Sequence, residues 1–376
     1  TSIIGGLQMF DESHLVFKSV PGDATWTMVK YMYESAFVRF QFGYGAAVAY
    51  GIFVIIAIFS VFSLLVTRDK KDDYGSKPKK IRKGIMKTVA NKSRDDLNSS
   101  AKRKRILCRG LVYLFAIVMA ITAFYPFFVM IISSTHDNYN IVAKINVLPG
   151  THLKENFERL TQNIELYKGI INSLLLAVTV TVVQNYFTMM AAYAFSKFNF
   201  KGKNFLFSVI LVAMMLPGQL GIIGFYKEIQ AMKLLNNYFT LVVPTISNCF
   251  AVFFYKQYID GALPNELIEA AVMDGCKELT IYHKLVLPLV IPALVTQGVM
   301  TFIGTWNSYL TPLIVLNDKN KFTLPLMIAT VRDSTHADYG AQYVGMLVSI
   351  IPMVIVFCFA SRIIMEKISI GAAVKG

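Results

Sequence analysis

The most distinctive spacing in the sequence belongs to a short polar stretch between two long apolar ones. It runs Glu269-Ala270-Ala271-Val272-Met273-Asp274-Gly275, and Leu285-Val286-Leu287-Pro288 follows after nine residues. Two alanines leave a smooth surface close to the backbone, with carboxylates beside it. These residue types fit a surface on which a partner could dock.

Local rules predict the shape of this stretch. Pro264 can occupy the first turn of a helix, where its missing N–H is harmless, and Glu266 and Glu269 then lie near the positive end of the helix dipole. Gly275 suits a C-terminal turn with positive φ, and a second short helix is predicted over 278–284. This helix–turn–helix pattern fits either an ordinary interfacial helix or a docking element.

Signals for catalysis and for cofactor binding are missing from the sequence. No GxxxxGK[ST] phosphate loop occurs, so the chain is not expected to bind ATP by itself. The histidines show no metal-ligand spacing, no nucleophile–base pair stands out, and cysteines outside any CxxC motif are expected to be free thiols. These residues are His14, His136, His152, His283, His336, Cys108, Cys249, Cys276 and Cys358. We therefore expect no cofactor, no metal and no enzymatic activity in this chain.

Apolar elements must position the polar stretch. The chain has 376 residues, 55% of them hydrophobic, and its mean hydropathy is +0.51. About 20 apolar residues cross a bilayer as a helix, and a charge at the centre of such a helix costs about 2.5–3.5 kcal/mol. Long stretches without charge predict an all-α integral membrane protein with seven transmembrane helices: Gly43–Val66, Gly110–Ser134, Gly169–Ser196, Asn204–Tyr226, Leu234–Tyr255, Leu285–Asn317 and Tyr339–Ser361.

The net charge of +14 is concentrated in one segment. Thr67–Arg105 contains 15 Lys and Arg residues against 5 acidic residues and so carries +10. No nucleic-acid-binding motif accompanies this charge. A basic segment beside a membrane helix instead indicates retention in the cytoplasm and attraction to anionic membrane lipid.

The basic segment also predicts the topology, since the loops must alternate from it. The loops predicted to be cytoplasmic are Lys197–Lys203, Lys256–Lys284 and the C-terminus, and those predicted to be external are Thr135–Lys168, Lys227–Lys233 and Asp318–Asp338.

Uncharged polar residues inside the spans are candidates for a second role. Interhelical hydrogen bonds between such groups contribute about 0.6 kcal/mol and at most about 2 kcal/mol, so structural bonding is their default interpretation. The alternative is a path for a hydroxyl-rich solute, which needs amide partners and apolar faces on which to stack. The candidate path residues are Gln184, Tyr193, Trp306 and Asn307.

The Glu269-Ala270-Ala271 stretch, together with Gly275 and Leu287-Pro288, resembles the EAA motif of importer-type ABC transporter permeases. The departures are small, because Leu285 stands where isoleucine is usual and Cys276 where a small residue is common. The resemblance covers residues 106–376 and implies a six-helix type I ABC importer permease core there.

In that family the loop helix docks into a cleft on the ATP-binding subunit and transmits its motion. The resemblance therefore implies coupling through the loop 256–284, with ATP and Mg²⁺ bound in separate subunits. The implied coupling residues are Glu269, Ala270, Ala271, Asp274 and Gly275.

Further segments resemble the carbohydrate, maltose-transporter-like subfamily. They are Asn172-Ser173, Ala192–Ser196, Trp306-Asn307 and Gly371–Gly376. This resemblance implies a multi-pass protein of a prokaryotic plasma membrane, with its C-terminus in the cytoplasm. The implied partners are ABC ATPase subunits, a second permease subunit, an extracellular solute-binding protein and a carbohydrate substrate.

Residues 1–66 are surplus to a six-span permease and resemble the end of the partner carbohydrate permease, where an external loop precedes the last helix. The hypothesis is that Gly43–Val66, an additional N-terminal transmembrane helix, packs as the last helix of a partner half. The basic segment 67–105 would then be a cytoplasmic linker to the permease domain at 106–376. The alternative is that Gly43–Val66 is an independent anchor.

Other functions remain open at this point. An importer of a polyol or of a glycerol-linked phosphate would have the same architecture. An ion-coupled secondary transporter usually needs charges within the membrane, and an intramembrane enzyme needs embedded carboxylates or histidines. The predicted spans lack both.

Overall fold

The computed structural model describes residues 27–52, 54–55, 94–214, 218–331 and 337–373, with only the backbone described at 94–109, 111, 219–220 and 364–373. The α-helices of these ranges are Met28–Tyr33, 42–52, Arg94–Ser133, Asn138–Ala143, Leu153–Asn163, Leu166–Lys197, Lys203–Ala213, Ile222–Ala231, Phe239–Val242, Cys249–Ala262, Asn265–Met273, Glu278–Ile281, Leu287–Leu289, Ile291–Trp306, Leu310–Val315, Leu324–Thr330 and Tyr339–Ala373. Residues Glu34–Val38 and Tyr282–Val286 are π-helical, and Gly218–Gly221, Val243–Ser247 and Lys319–Lys321 form 3-10 turns.

Leu166–Lys197 is the central helix of the fold. Its middle is a run of β-branched residues, 178–183, that would favour a strand in water, but a segment within a membrane must satisfy its backbone hydrogen bonds internally. Cys249–Ala262 and Ile291–Trp306 pack most extensively against it. Buried alanines, such as Ala177 and Ala192, let these backbones approach closely.

The described residues contain three helices long and apolar enough to cross a membrane: Val112–Ser133, Leu166–Lys197 and Tyr339–Ile363. The number rises to five if each of two bent helix pairs is one span. These helices support the all-helical membrane architecture. Of the additional predicted helix Gly43–Val66, residues 43–52 and 54–55 are helical, and the remainder lies outside the described residues.

The predicted span Asn204–Tyr226 is wrong as one continuous helix. The helix that begins at Lys203 ends at Ala213, and the next described elements are the turn Gly218–Gly221 and the helix Ile222–Ala231. Pro217 and Gly218 in between disfavour helix continuation. The predicted external loop Lys227–Lys233 is therefore helical as far as Ala231.

Two further predicted spans are bent. Within Leu234–Tyr255 the chain bends by 44° before Cys249, where the Asn248 side chain caps the next helix by accepting a hydrogen bond from the Ala251 N–H at 2.9 Å. Within Leu285–Asn317, the helical segment Glu278–Leu289 meets Ile291–Trp306 at 79°.

Prolines explain the sharper bend. Pro288 and Pro292 flank it and have no backbone N–H to donate to the preceding turn. The chain then breaks again after Trp306 and forms the separate short helix Leu310–Val315. The predicted span was thus too long, because a stretch without charged residues shows how long the apolar segment is but not where its helix bends or breaks.

Hydrogen bonds join loops that were predicted to lie on the same side of the membrane. In the set predicted to be external, Asn172 Nδ2 donates to the carbonyls of Asn320 and Phe322, and Tyr238 Oη donates to the Lys321 carbonyl. In the set predicted to be cytoplasmic, residues near Lys197 bond to the loop 256–284, as described below.

The N-terminal residues 28–52 pack against the core of this chain. Val29, Met32 and Ile52 are buried in one apolar cluster with residues of Ile222–Ala231 and Leu310–Val315. The structure shows contact between these residues and this chain's own core. The hypothesis that Gly43–Val66 packs as the last helix of a partner half stays a prediction. Of the proposed linker, residues 94–105 continue the helix Arg94–Ser133, and 67–93 lie outside the described residues.

Candidate functional site

The Glu-Ala-Ala stretch lies on the helix Asn265–Met273, which we call the docking helix. Pro264 precedes it as the N-cap residue, and Gly275 follows it with φ +75°. The Gly275 N–H donates to the Val272 carbonyl at 2.9 Å, and the Cys276 N–H donates to the Ala271 carbonyl at 3.0 Å. This pair of bonds is a Schellman motif. The predicted helix and its glycine turn are confirmed, but Pro264 stands at the N-cap and not in the first turn where it was predicted.

The docking helix has an inner and an outer face. Ile268 and Ala271 pack against a buried cluster beneath the helix. Glu269 and Ala270 are exposed on the outer face, and the Met273 side chain is 87% exposed. Asp274 and Gly275 are exposed beside them. All five residues singled out from the sequence thus lie on this helix or its turn, with Ala271 facing inward.

An aromatic floor of Tyr193, Tyr255 and Tyr282 supports the docking helix, and all three are buried. Tyr193 and Tyr282 have ring centroids 5.7 Å apart, and Tyr282 Oη donates to the Tyr186 carbonyl at 3.1 Å. This floor joins the central helix to Cys249–Ala262 and to the segment after the docking helix. These buried, closely packed aromatic rings hold the three segments against one another.

Lys197, at the end of the central helix, anchors the start of the docking helix. Its Nζ donates to the Leu263 carbonyl at 2.5 Å and to Asn265 Oδ1 at 2.7 Å. Beside it, Asp260 accepts from Ser196 Oγ and from Lys256 Nζ, each at 2.5 Å. These residues were not recognised as a site from the sequence, although three charged groups beside an otherwise apolar span are a usable signal.

Replacing Lys197 with methionine should loosen the docking helix without unfolding the core. Charge-assisted hydrogen bonds contribute about 1.5–3 kcal/mol, and Lys197 is half-buried, so we expect amide exchange over 265–273 to accelerate about tenfold. Hydrogen–deuterium exchange of the purified protein measures this. Lys201→Met is the matched control, since Lys201 is exposed. Equal exchange in both variants would show that Lys197 does not anchor the docking helix.

His283 is exposed near the end of the loop 256–284. Tyr186 Oη lies 3.1 Å from His283 Nε2, and His283 Nδ1 lies 2.7 Å from the Leu279 carbonyl. A carbonyl can only accept, so Nδ1 carries the proton and Nε2 accepts from Tyr186 in the neutral imidazole. This residue joins the central helix to the helix that follows the docking helix.

The structure does not bring the four candidate path residues together. Trp306 is 1% exposed, and its Nε1 donates to the Ser349 carbonyl at 3.0 Å. Gln184 is buried and donates to Thr301 Oγ1 at 2.9 Å. Tyr193 belongs to the aromatic floor, and Asn307 is exposed. The first three make helix–helix contacts within this chain, which matches the structural interpretation of such groups.

A buried polar seam joins the central helix to both helices packed on it, through Gln184 to Ile291–Trp306 and through Asn185 to Cys249–Ala262. Tyr255 Oη donates to Asn185 Oδ1 at 2.6 Å, and Asn185 Nδ2 donates to the Thr181 carbonyl at 2.6 Å. Such bonds fix the register of packed membrane helices. Thr301 and Tyr255 were not singled out from the sequence, because a hydroxyl in a span has no local signature of its partner.

A buried ion pair lies at the other end of the molecule. Arg159 Nε donates to Asp338 Oδ2 at 2.8 Å, and the Asp338 side chain is 0% exposed. Arg159 also bonds Glu155, whose side chain is 60% exposed, at 2.7 Å. The pair joins Leu153–Asn163 to the start of the last long helix. Its members are 179 positions apart, and no local pattern connects them.

Asn156 extends this junction. Its Nδ2 donates to the Ser134 carbonyl at 2.7 Å and to the His136 carbonyl at 2.8 Å. Gly340 fits against it, since a Cβ there would lie 2.6 Å from Asn156 Oδ1. Nearby, a hydrogen bond from Asn140 lowers the pKa of the Asp137 carboxyl.

Comparisons with known proteins cover most of this fold. Residues 184–369 match the family described as binding-protein-dependent transport system inner membrane component. The chain is 32% identical over 262 residues to the arabinooligosaccharides transport system permease protein AraQ of Halalkalibacterium halodurans, covering 69% of this chain and 93% of that protein. It is 30% identical over 249 residues to the sn-glycerol-3-phosphate transport system permease protein UgpE of Escherichia coli O1:K1, covering 63% of this chain and 88% of that protein.

A solved structure shares the fold. It is the crystal structure of a bacterial ABC transporter involved in the import of the acidic polysaccharide alginate, with a TM-score of 0.60 and 22% sequence identity. The match covers 97% of that chain and 69% of this one. Nearly a third of the present chain therefore has no counterpart in it.

Proposed function

Because this chain belongs to the family of binding-protein-dependent transport system inner membrane components, the permeases of ABC importers, we propose that it imports a sugar or an oligosaccharide delivered by an external binding protein. The observation that carries the proposal is the docking helix. It presents Glu269, Ala270 and Met273 outward and is closed by the Gly275 turn.

The docking helix suits mechanical coupling to ATPase subunits. Lys197 and the aromatic floor hold it to the membrane helices, so a push on its outer face moves the supporting segments with it. The bent pair Glu278–Leu289 and Ile291–Trp306 leads directly from the loop into the membrane. The transport complex would alternate between two arrangements. ATP and the loaded binding protein would shift this equilibrium by binding one arrangement more tightly than the other. ATP and Mg²⁺ belong to the separate ATPase subunits.

A second permease subunit fits the exposed helix Val112–Ser133. Its large apolar side chains are exposed around its circumference, including Tyr113, Leu114, Phe115 and Ile117. A helix that makes few contacts with its own core offers an extended surface for another helical subunit within the lipid. The complex is placed in a prokaryotic plasma membrane, with the C-terminus of this chain and its docking helix in the cytoplasm.

Of the two candidate path residues that carry an amide, Gln184 is buried and Asn307 is exposed. Trp306 packs inward beside it, so Asn307 and its neighbours would meet the solute at the surface shared with the second permease. Import of a glycerol-linked phosphate is the second candidate function, favoured by the similarity to UgpE.

Uptake by the reconstituted complex tests the proposal. Proteoliposomes containing this chain, its ATPase subunits, the second permease and the binding protein should accumulate labelled arabinooligosaccharide when ATP is supplied. Labelled sn-glycerol-3-phosphate is the competing solute. A matched complex, whose ATPase subunits lack the P-loop lysine, should accumulate neither. Uptake that persists in that complex and follows an ion gradient would reject an ATP-driven importer.

A further inference from the structure

The segment 136–150, which we call the apolar loop, exposes large apolar side chains although it lies outside the membrane-spanning helices. Within ten residues, five such side chains are between 62% and 92% exposed: Tyr139, Val142, Ile145, Val147 and Leu148. Single apolar residues on a surface are ordinary, but a group of this size marks a contact with another molecule or with lipid.

Hydrogen bonds hold the apolar loop in one conformation. At its base the Gly150 N–H donates to Thr135 Oγ1 at 2.8 Å, and a Cβ on Gly150 would overlap the Thr135 carbonyl oxygen. Across the loop, Asn146 Nδ2 donates to the Asn140 carbonyl at 2.8 Å, and Asn140 Nδ2 donates to Asp137 Oδ1. Polar side chains are thus bonded within the loop, and the apolar ones are left outside.

The apolar loop continues the surface of one membrane span. Its base at Thr135 lies two residues after the end of Val112–Ser133. Near that end of the span, Phe127 and Ile131 are exposed. The exposed apolar surface of the span therefore reaches the point where the loop begins.

A second span sets the height of the loop relative to the membrane. Asn138 begins the short helix Asn138–Ala143, and its Oδ1 accepts a hydrogen bond from the Gly340 N–H at 3.0 Å. Gly340 is the second residue of the span Tyr339–Ile363. The short helix therefore lies beside the first turn of that span, at the boundary between hydrocarbon and water.

The composition of the apolar loop suits this boundary. Residues 138–150 contain one charged residue, Lys144, and a lysine side chain can extend from an apolar surface to lipid phosphates. Tyr139 combines an apolar ring with a polar tip, and tyrosine is enriched where membrane and water meet. The next helix differs, because Lys154 and Glu158 form an exposed ion pair that suits water.

We propose that the apolar loop inserts into the bilayer leaflet at this end of the spans, which is the outer leaflet in the predicted topology. Ile145 enters the boundary between headgroups and acyl chains, where interfacial segments lie about 5–10 Å deep. Tyr139 and Lys144 remain at the headgroups. The loop then holds the ends of Val112–Ser133 and Tyr339–Ile363 at a fixed height in the membrane. This insertion depends on the membrane spans and not on the proposed transport activity.

Photo-crosslinking in the full-length chain tests the insertion. The analogue p-benzoylphenylalanine replaces Ile145, and after irradiation in native membranes the peptide containing position 145 is analysed by mass spectrometry for phospholipid adducts. Lys154, whose side chain is 90% exposed, carries the analogue in the matched control. Moving one large apolar side chain out of water changes its partition about tenfold or more, so we expect about tenfold more lipid adduct at position 145 than at position 154.

Two versions of the experiment distinguish the possible occupants. In the chain expressed without partner subunits, Tyr125, which is exposed within the span Val112–Ser133, is the positive control for lipid capture. Lipid adducts at position 125 but none at position 145, or equal yields at positions 145 and 154, would overturn the proposal.

With the partner subunits present, position 145 should still capture lipid. Capture of the second permease or of the binding protein instead would assign the apolar loop to that protein and overturn the insertion. Neither version measures uptake, so failure of the proposed transport function would be seen separately.

Discussion

Replacing Gly275 with valine is expected to lower ATP-driven uptake about tenfold, because the left-handed conformation costs an L-residue about 1–2 kcal/mol and a β-branched one more. Gly275 has φ +75°, and no other group lies within 4 Å of the position that a Cβ would take. The backbone, and not a local clash, therefore sets the cost. The turn that closes the docking helix opens, and the helix loses its fixed end. Uptake and ATP hydrolysis measured in the same proteoliposomes should separate, with hydrolysis retained.

Gly275→Asn is the control for this variant. Asparagine tolerates positive φ far better than valine, although both add a side chain to the exposed surface. Uptake by the asparagine variant should remain within about threefold of the unaltered protein. Equal losses in the two variants would mean that added bulk at the partner's surface, rather than the turn, decides the effect.

The second large effect is expected at Arg159. Its replacement with alanine should lower the free energy of unfolding by about 3 kcal/mol, because removing one partner of a buried pair leaves the other charge without its counter-ion. The charge is that of Asp338, which is 0% exposed. The hydrogen bond that Asp338 Oδ1 accepts from the Ala341 N–H at 3.1 Å remains. The junction between Leu153–Asn163 and the last long helix would loosen. Thermal unfolding in detergent measures the loss, and Asp338→Asn in the same chain should restore part of it.

Glu155 supplies the matched comparison, since it bonds the same arginine but is 60% exposed. Exposed pairs of this kind contribute about 0.2–1 kcal/mol, so Glu155→Gln should scarcely shift the unfolding temperature. A shift as large as that of the Arg159 variant would contradict the role given to burial.

Local features of the docking loop could be predicted from the sequence because each depends on a few adjacent residues. Pro264 before a helix and Gly275 after it express preferences of single residues for particular backbone angles. The all-helical membrane class also followed, since long charge-free stretches have few alternatives.

Bends and long-range contacts could not be predicted in the same way. Leu285–Asn317 has the composition of one long span, yet Pro288 and Pro292 turn it by 79°. Asn248 is a typical N-cap residue and could have predicted that a new helix begins at Cys249. A count of apolar residues does not detect this signal. The Arg159–Asp338 pair and the contact of Phe42 with Tyr226 join distant positions, so only the folded chain reveals them.

The 79° bend makes Glu278–Leu289 and Ile291–Trp306 two arms that meet at nearly a right angle. A rotation about the bend that moves one arm sideways would therefore move the far end of the other arm along a different axis. At 1.5 Å per residue, the two arms Glu278–Leu289 and Ile291–Trp306 are about 18 and 24 Å long. A tilt of about 10° at this bend would then move the far end of the longer arm by about 4 Å. A small rotation of the segment Glu278–Leu289 is therefore enough to displace the end of Ile291–Trp306, beside Asn307, by about 4 Å.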